Sequence, residues 1–257
     1  MKQMILLQTN SVFNRVTLAG VALMFFGVAA VAQQLTPGDP IQPGTIANDA
    51  AASPTQSESK RIFFIIPNYR TSPTLEDFHP LTASEKFKIA SEDALDRGTV
   101  VLAAIFGGEG QLANSNRSFG QGAAGFGRYF GAAYGDYFIG DYMTEAAFPF
   151  LLHQDPRYFR RGTGTKWSRL GYAMGQIVWT HGDSGKTQFN FSEVIGNSTA
   201  VAISNAYYSD NRTASDNVSK LGMQLGVDMA ANVLKEFWPD IERKFGRKSN
   251  REPIAKR

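Results

Sequence analysis

The 257-residue chain contains no cysteine. Disulfides, thiolate metal sites and thiol nucleophiles are therefore excluded. Histidine is scarce, at three residues. After residue 32 no stretch reaches the roughly 18 uncharged apolar residues of a membrane-spanning helix. No nucleic-acid-binding module is visible, so no nucleic-acid partner is expected. The segment "THGDSGKT" (residues 180–187) ends like a phosphate-binding loop, but Thr180 stands where that loop needs its first glycine. "TQFNFSE" follows it, where a helix N-terminus should face the phosphates. Neither a nucleotide nor any other cofactor is expected.

What is present begins with the ends. Lys2 and Arg15 precede the uncharged apolar run at 16–31, and Ala30-Val31-Ala32 offers a small-x-small cleavage site. This is the pattern of a signal peptide over residues 1–32, with a retained anchor as the other reading. Residues 33–60 are rich in Pro, Gly, Ser, Thr and Ala and are expected to be a disordered linker. Residues 243–257 hold seven Lys or Arg against one acid, Glu252. That gives a basic tail, taken as 246–257, beyond a net acidic body at 61–245. A protein exported to the periplasm or the outer-membrane periphery is expected.

The body reads as a compact, mainly α-helical bundle of about five helices. Thr82 and Glu85 form a capping-box pattern. The helix they open is expected to run through "TVVLAAIF" to Gly107 and Gly108. Residues 125–152 carry Gly127, Gly131 and Gly135 at four-residue spacing beside Phe126, Phe130, Tyr134 and Tyr137. Residues 166–179 carry Gly171 and Gly175 beside Trp167, Leu170, Met174 and Ile177. A fourth helix, capped by Asn190, carries Gly196. A fifth, opened by Thr213 and Asp216, carries Gly222 and Gly226 and is expected to end or kink at Pro239. Glycine inside a helix costs about 1 kcal/mol relative to alanine. The eight glycines therefore predict faces where helices cross closely. The rival fold is an outer-membrane β-barrel, since "YAMGQIVW" and "TQFNFSEV" could form a hairpin. Against it, the alternation is not sustained at intervals of about ten residues.

Two candidate sites follow. His153 with Asp155, and His181 with Asp183, are His-x-Asp pairs. If they converge, they supply a metal site, or a base with its orienting carboxylate, for a hydrolase. The second site is a run of cations without an acid: Arg157, Arg160, Arg161, Lys166 and Arg169. Guanidinium forks suit phosphate or carboxylate. The expected partner is an anionic lipid or envelope polymer, and the alternative is pairing with acids of the bundle. Homo-oligomerisation is left open.

The stretches "LLHQDPRYFRRGTGTKWSRLGYA", "GDSGKTQFNFSEVIGN", "ISNAYY" and "NVLKEFWPDI" resemble a family of exported soil-bacterial proteins. Some of its members are fused to carboxypeptidase-regulatory-like β-sandwich modules. The similarity covers roughly residues 80–245, and DPRYF is its most specific part. The resemblance implies an envelope location and carries no catalytic residue over. Together these features predict an exported envelope protein of binding or structural type, peripheral to a membrane. The alternatives are the hydrolase and the barrel or pore.

Overall fold

The computed structural model describes residues 61–62, 66–72 and 78–245. The expected signal peptide, linker and basic tail lie outside them. The architecture is mainly helical, with no closed barrel. In chain order the elements are β1 (Arg61–Ile62), β2 (Ile66–Pro67), β3 (Thr71–Ser72), α1 (Ala83–Ala94) and α2 (Arg97–Leu112). There follow a 3-10 turn (Arg117–Phe119), α3 (Gly122–Asp141), a π-helical segment (Tyr142–Ala147) and α4 (Phe148–Leu151). The chain then forms β4 (Tyr158–Phe159), α5 (Lys166–Gly175), β5 (Trp179–His181), β6 (Thr187–Phe189), α6 (Phe191–Ser204) and α7 (Ala214–Phe245).

The described strands pair only in twos: β1 with β2 and β5 with β6 antiparallel, β3 with β4 parallel. The β5–β6 hairpin seen in the sequence is real but short. The residues before it are helix α5, and this removes the barrel reading.

Helix starts follow the capping chemistry. Thr82 and Glu85 satisfy each other's backbone N–H groups, as do Thr213 and Asp216. The Asn190 side chain accepts from Glu193 N. The first expected helix is two helices. Its chain breaks at Leu95, and Asp96 starts α2 by accepting from Gly98 N at 2.6 Å. An acidic N-cap wins here over an uninterrupted apolar period. Pro239, conversely, does not end α7, which continues to Phe245. Arg169 Nη2 donates to the Glu236 carbonyl at 2.6 Å, and Arg169 Nη1 to Asp240 Oδ2 at 2.6 Å. Those bonds brace the turn that the proline interrupts.

The glycine reading needs correction. A Cβ built on Gly127, Gly131, Gly171, Gly175, Gly222 or Gly226 meets nothing within 4 Å among the described residues, and one on Gly135 reaches only the Tyr207 ring at 3.8 Å. These glycines do not line helix crossings. Gly196 does: its Cβ would lie 2.9 Å from Thr144 Cγ2 and 3.1 Å from the Met143 carbonyl, so α6 seats on the π-helical segment. The other tight crossing uses Gly107, whose Cβ would lie 2.8 Å from the Phe130 Cα. Four-residue spacing therefore marked a helical face without saying what that face touches. The neighbouring aromatics form a ladder, Phe126–Phe130–Tyr134–Phe138–Tyr142, with ring centroids 4.8–6.4 Å apart. Tyr137 lies off this ladder and packs on Phe106.

Candidate functional site

The two His-x-Asp loops do meet, but through backbone. Asp155 N donates to the His181 carbonyl at 2.8 Å, and Asp183 N to the His153 carbonyl at 2.9 Å. The side chains then part company. Buried Asp155 is held by Arg157, which donates from its backbone N, Nε and Nη2. Asp183 is held by buried Lys86, whose Nζ lies 2.8 Å from both carboxylate oxygens. The His153 side chain is 85 % exposed, 3.9 Å from Asp183. The His181 ring is buried against Phe159 at 5.1 Å, with Nδ1 unpartnered. Burial lowers its pKa, with Asp155 opposing. Both acids are thus paired with cations, and the two imidazoles differ in setting, His153 exposed and His181 buried. Among the described residues, no group of three or more acidic or His side chains is placed to hold a metal ion.

The cationic run is also partly internal. Arg157 lies over Phe78 and Phe159 and bonds the His79 carbonyl at 2.6 Å. Arg169 Nε donates to Glu236 at 2.7 Å. Glu236 is fully buried and also accepts from Tyr158 Oη, Arg161 N and Gly162 N. Tyr158 and Phe159 are buried too, so DPRYF is a structural latch fastening its loop to α7. Arg160 is half-buried. Arg161 and Lys166 remain at the surface, beside Trp167, which is 81 % exposed.

The sequence reading missed a charged centre inside the bundle. Asp93 comes from α1, Asp141 from the end of α3, Glu145 from the π-helical segment and Glu193 from α6. Asp228 and Lys235 come from α7, and Arg70 from the turn before β3. Arg70 Nη1 lies 3.2 Å from Glu145 Oε1. The Asp93 and Glu145 carboxyls act on one another electrostatically, as do those of Glu193 and Asp228. Asn197 Nδ2 ties Glu193 Oε1 (3.0 Å) to Asp228 Oδ2 (3.3 Å).

Like charges held together in a buried site favour the form in which one carboxyl keeps its proton. Asp93 Oδ1 and Glu145 Oε2 have no hydrogen-bond partner among the described residues. Burial, then the Asp93 charge, pushes Glu145 up to about 8 against the pull of Arg70. Burial and Asp228 raise Glu193 well above the carboxylate range, and burial and Glu145 do the same for Asp141. Burial lowers Lys235 to about 8. A polar cavity of about 30 Å³, bordered by Arg70, Asp155, Glu193 and Asn232 among others, adjoins this centre. It has room for little more than water.

The outer surface is the counterpart of that interior. In α6 the buried positions include Ser192, Glu193, Asn197 and Ser204, whereas Phe191, Ile195 and Ile203 face outward. In α2, Thr99, Ala103 and Gly107 are buried, while Val101, Ile105 and Leu112 are exposed along one face. Helix α1 is mixed: Lys86, Ala90, Asp93 and Ala94 are buried, and Glu85, Phe87 and Lys88 are exposed. Trp179, Phe189 and Phe191 form an exposed aromatic cluster, with successive centroids 6.3 and 4.9 Å apart. Among the described residues, much of the buried apolar set is alanine, while ten charged side chains are buried. A signal for this inversion existed: α6 has a single charge, Glu193, among apolar residues, and no polar stripe to face water. No described helix is long and apolar enough to cross a membrane.

No protein-family model, curated protein or solved structure matches the chain.

Proposed function

We propose that this is a membrane-surface protein of the cell envelope, of binding or structural type. Helices α2 and α6 turn apolar residues toward lipid, and a set of charges is kept inside the bundle. The observation that carries this reading is the outward apolar face of α2 and α6. Leaving apolar area in water forgoes about 25 cal/mol per Å², and burying charge adds a desolvation cost. A fold surrounded by water bears both costs. A fold whose outer faces meet acyl chains bears only the second. Trp167, flanked by Lys166 and near Arg161, has the composition of an interfacial anchor, an amphipathic ring beside cations that meet anionic head groups. The small cavity at the charged centre supports a binding or structural role over catalysis on an organic substrate.

Flotation of the full chain with phosphatidylglycerol-containing vesicles tests this. Ile105→Asn and Ile195→Asn are expected to weaken flotation, and Lys166→Glu to weaken it at low salt. Equal flotation of all variants would assign membrane binding to residues 1–32 and overturn the proposal for the folded body.

A further inference from the structure

The glycines of α3 that no described helix covers border an open groove of about 390 Å³. Phe119, Arg128, Gly131, Ala132, Gly135 and Tyr207 line it, and its surface is almost wholly apolar. That volume is within the range of about 300–1,000 Å³ of small-molecule sites. The walls are fixed from behind. Tyr207 and Tyr208 donate their hydroxyls to Asp136 at 2.6 and 2.7 Å, so Tyr207 offers its ring to the groove while its hydroxyl is engaged. Phe119 packs on Tyr129 and Tyr208 at 5.1 and 5.8 Å. Tyr129 is anchored through its hydroxyl to the Asn116 backbone. The floor is bare because α3 carries no side chain at 131 and 135. Each glycine costs the helix about 1 kcal/mol relative to alanine, and among the described residues no crossing helix explains either one.

The lining has one charge, Arg128. Its Nη1 donates to the Phe119 carbonyl at 2.7 Å, which holds the guanidinium at the groove while the side chain stays exposed. A narrow apolar trough with a single fixed cation complements an amphiphile with one hydrocarbon chain in the trough and an anionic head on the guanidinium. We infer that this groove seats an acyl chain of an anionic bilayer lipid, with its phosphate at Arg128. The inference rests on the membrane-surface reading above and names the lipid class and the site.

The experiment uses the full chain on phosphatidylcholine vesicles doped with a phosphatidylglycerol that carries a diazirine in one acyl chain. After irradiation, crosslinked peptides are mapped by mass spectrometry. Crosslinks are expected at Phe119, Tyr207 and residues 128–135. They should be lost in Gly131→Leu, which fills a trough that is open at that Cβ. Arg128→Gln should erase the preference for the phosphatidylglycerol probe over the same diazirine on phosphatidylcholine. Flotation should persist in both variants, and an unchanged unfolding midpoint in Arg128→Gln shows that the fold is kept. Undiminished crosslinks in Gly131→Leu, with flotation intact, would overturn the groove alone. Loss of flotation by the wild type's folded body would overturn the membrane reading with it. A dimer that dissociates on Gly131→Leu, seen by light scattering, would make a second copy the occupant and also overturn the proposal.

Discussion

Arg70 Nη1 lies 3.2 Å from Glu145 Oε1, with both side chains buried, and the second Glu145 oxygen has no hydrogen-bond partner among the described residues. Glu145 is therefore a carboxyl held between a cation and a like charge, and its proton is part of the fold. Its pKa rises from 4.5 to about 8 on folding. Stability from this group is fully present below pH 4.5 and is lost as pH rises through 8. Asp93, Asp141 and Glu193 are shifted in the same direction. Lys235, lowered from 10.5 to about 8, acts oppositely, raising stability only between about pH 8 and 10.5. The urea midpoint should fall between pH 5 and pH 8, and Glu145→Gln should flatten that fall. Arg70→Met should cost about 3–5 kcal/mol at pH 8 and less at pH 5, where Glu145 is protonated.

Lys86 and Asp183 join α1 to the β5–β6 turn. Asp183→Asn strands a buried ammonium and should destabilise by about 3 kcal/mol in urea unfolding. The double variant Lys86→Met with Asp183→Asn should recover most of that loss, because no charge is then left unpaired. His153→Ala, at an exposed side chain, should stay within about 0.5 kcal/mol of the parent. A large His153 effect would show that the loop does more than tie elements together.

The glycines divide into two groups by what surrounds them. Gly196→Ala places a methyl 2.9 Å from Thr144 Cγ2 and should destabilise by about 1–3 kcal/mol. Gly107→Ala meets Phe130 backbone and should behave likewise. Gly222→Ala and Gly226→Ala meet nothing and should stabilise by up to about 1 kcal/mol each. Thermal midpoints of the four single variants measure this difference in sign.

Local chemistry was legible in the sequence, and the environment of each face was not. The Thr82–Glu85 and Thr213–Asp216 caps follow from residues three apart, and so does the Asn190 cap. The break at Asp96 was read through because Ala90, Ala94 and Leu95 keep a helical period up to it and the apolar run at 99–106 follows. The glycine spacing was real, but the burial of Gly196 and the bareness of Gly131 depend on which helices the topology brings together. Likewise Asp93, Asp141, Glu145, Glu193, Asp228 and Lys235 are each unremarkable on their own helix. They form a site only because α1, the π-helical segment, α6 and α7 converge. For Arg157 and Arg169 the sequence left open an anionic partner or pairing with acids such as Asp155, and Glu236, the partner of Arg169, is supplied only by the packing of α7.

The outward apolar faces are tested most directly by tryptophan. The chain has three tryptophans, none in residues 1–32, so their emission reports the folded body. Trp167 and Trp179 are 81 % and 51 % exposed, and Trp238 is 9 % exposed. On anionic vesicles containing acyl-brominated lipid, emission should be quenched and blue-shifted. Trp167→Phe and Trp179→Phe should each remove part of the quenching, and Trp238→Phe should not. Full flotation with unquenched, water-like emission from Trp167 and Trp179 would contradict the account, because the body would then sit in water while residues 1–32 alone held the membrane.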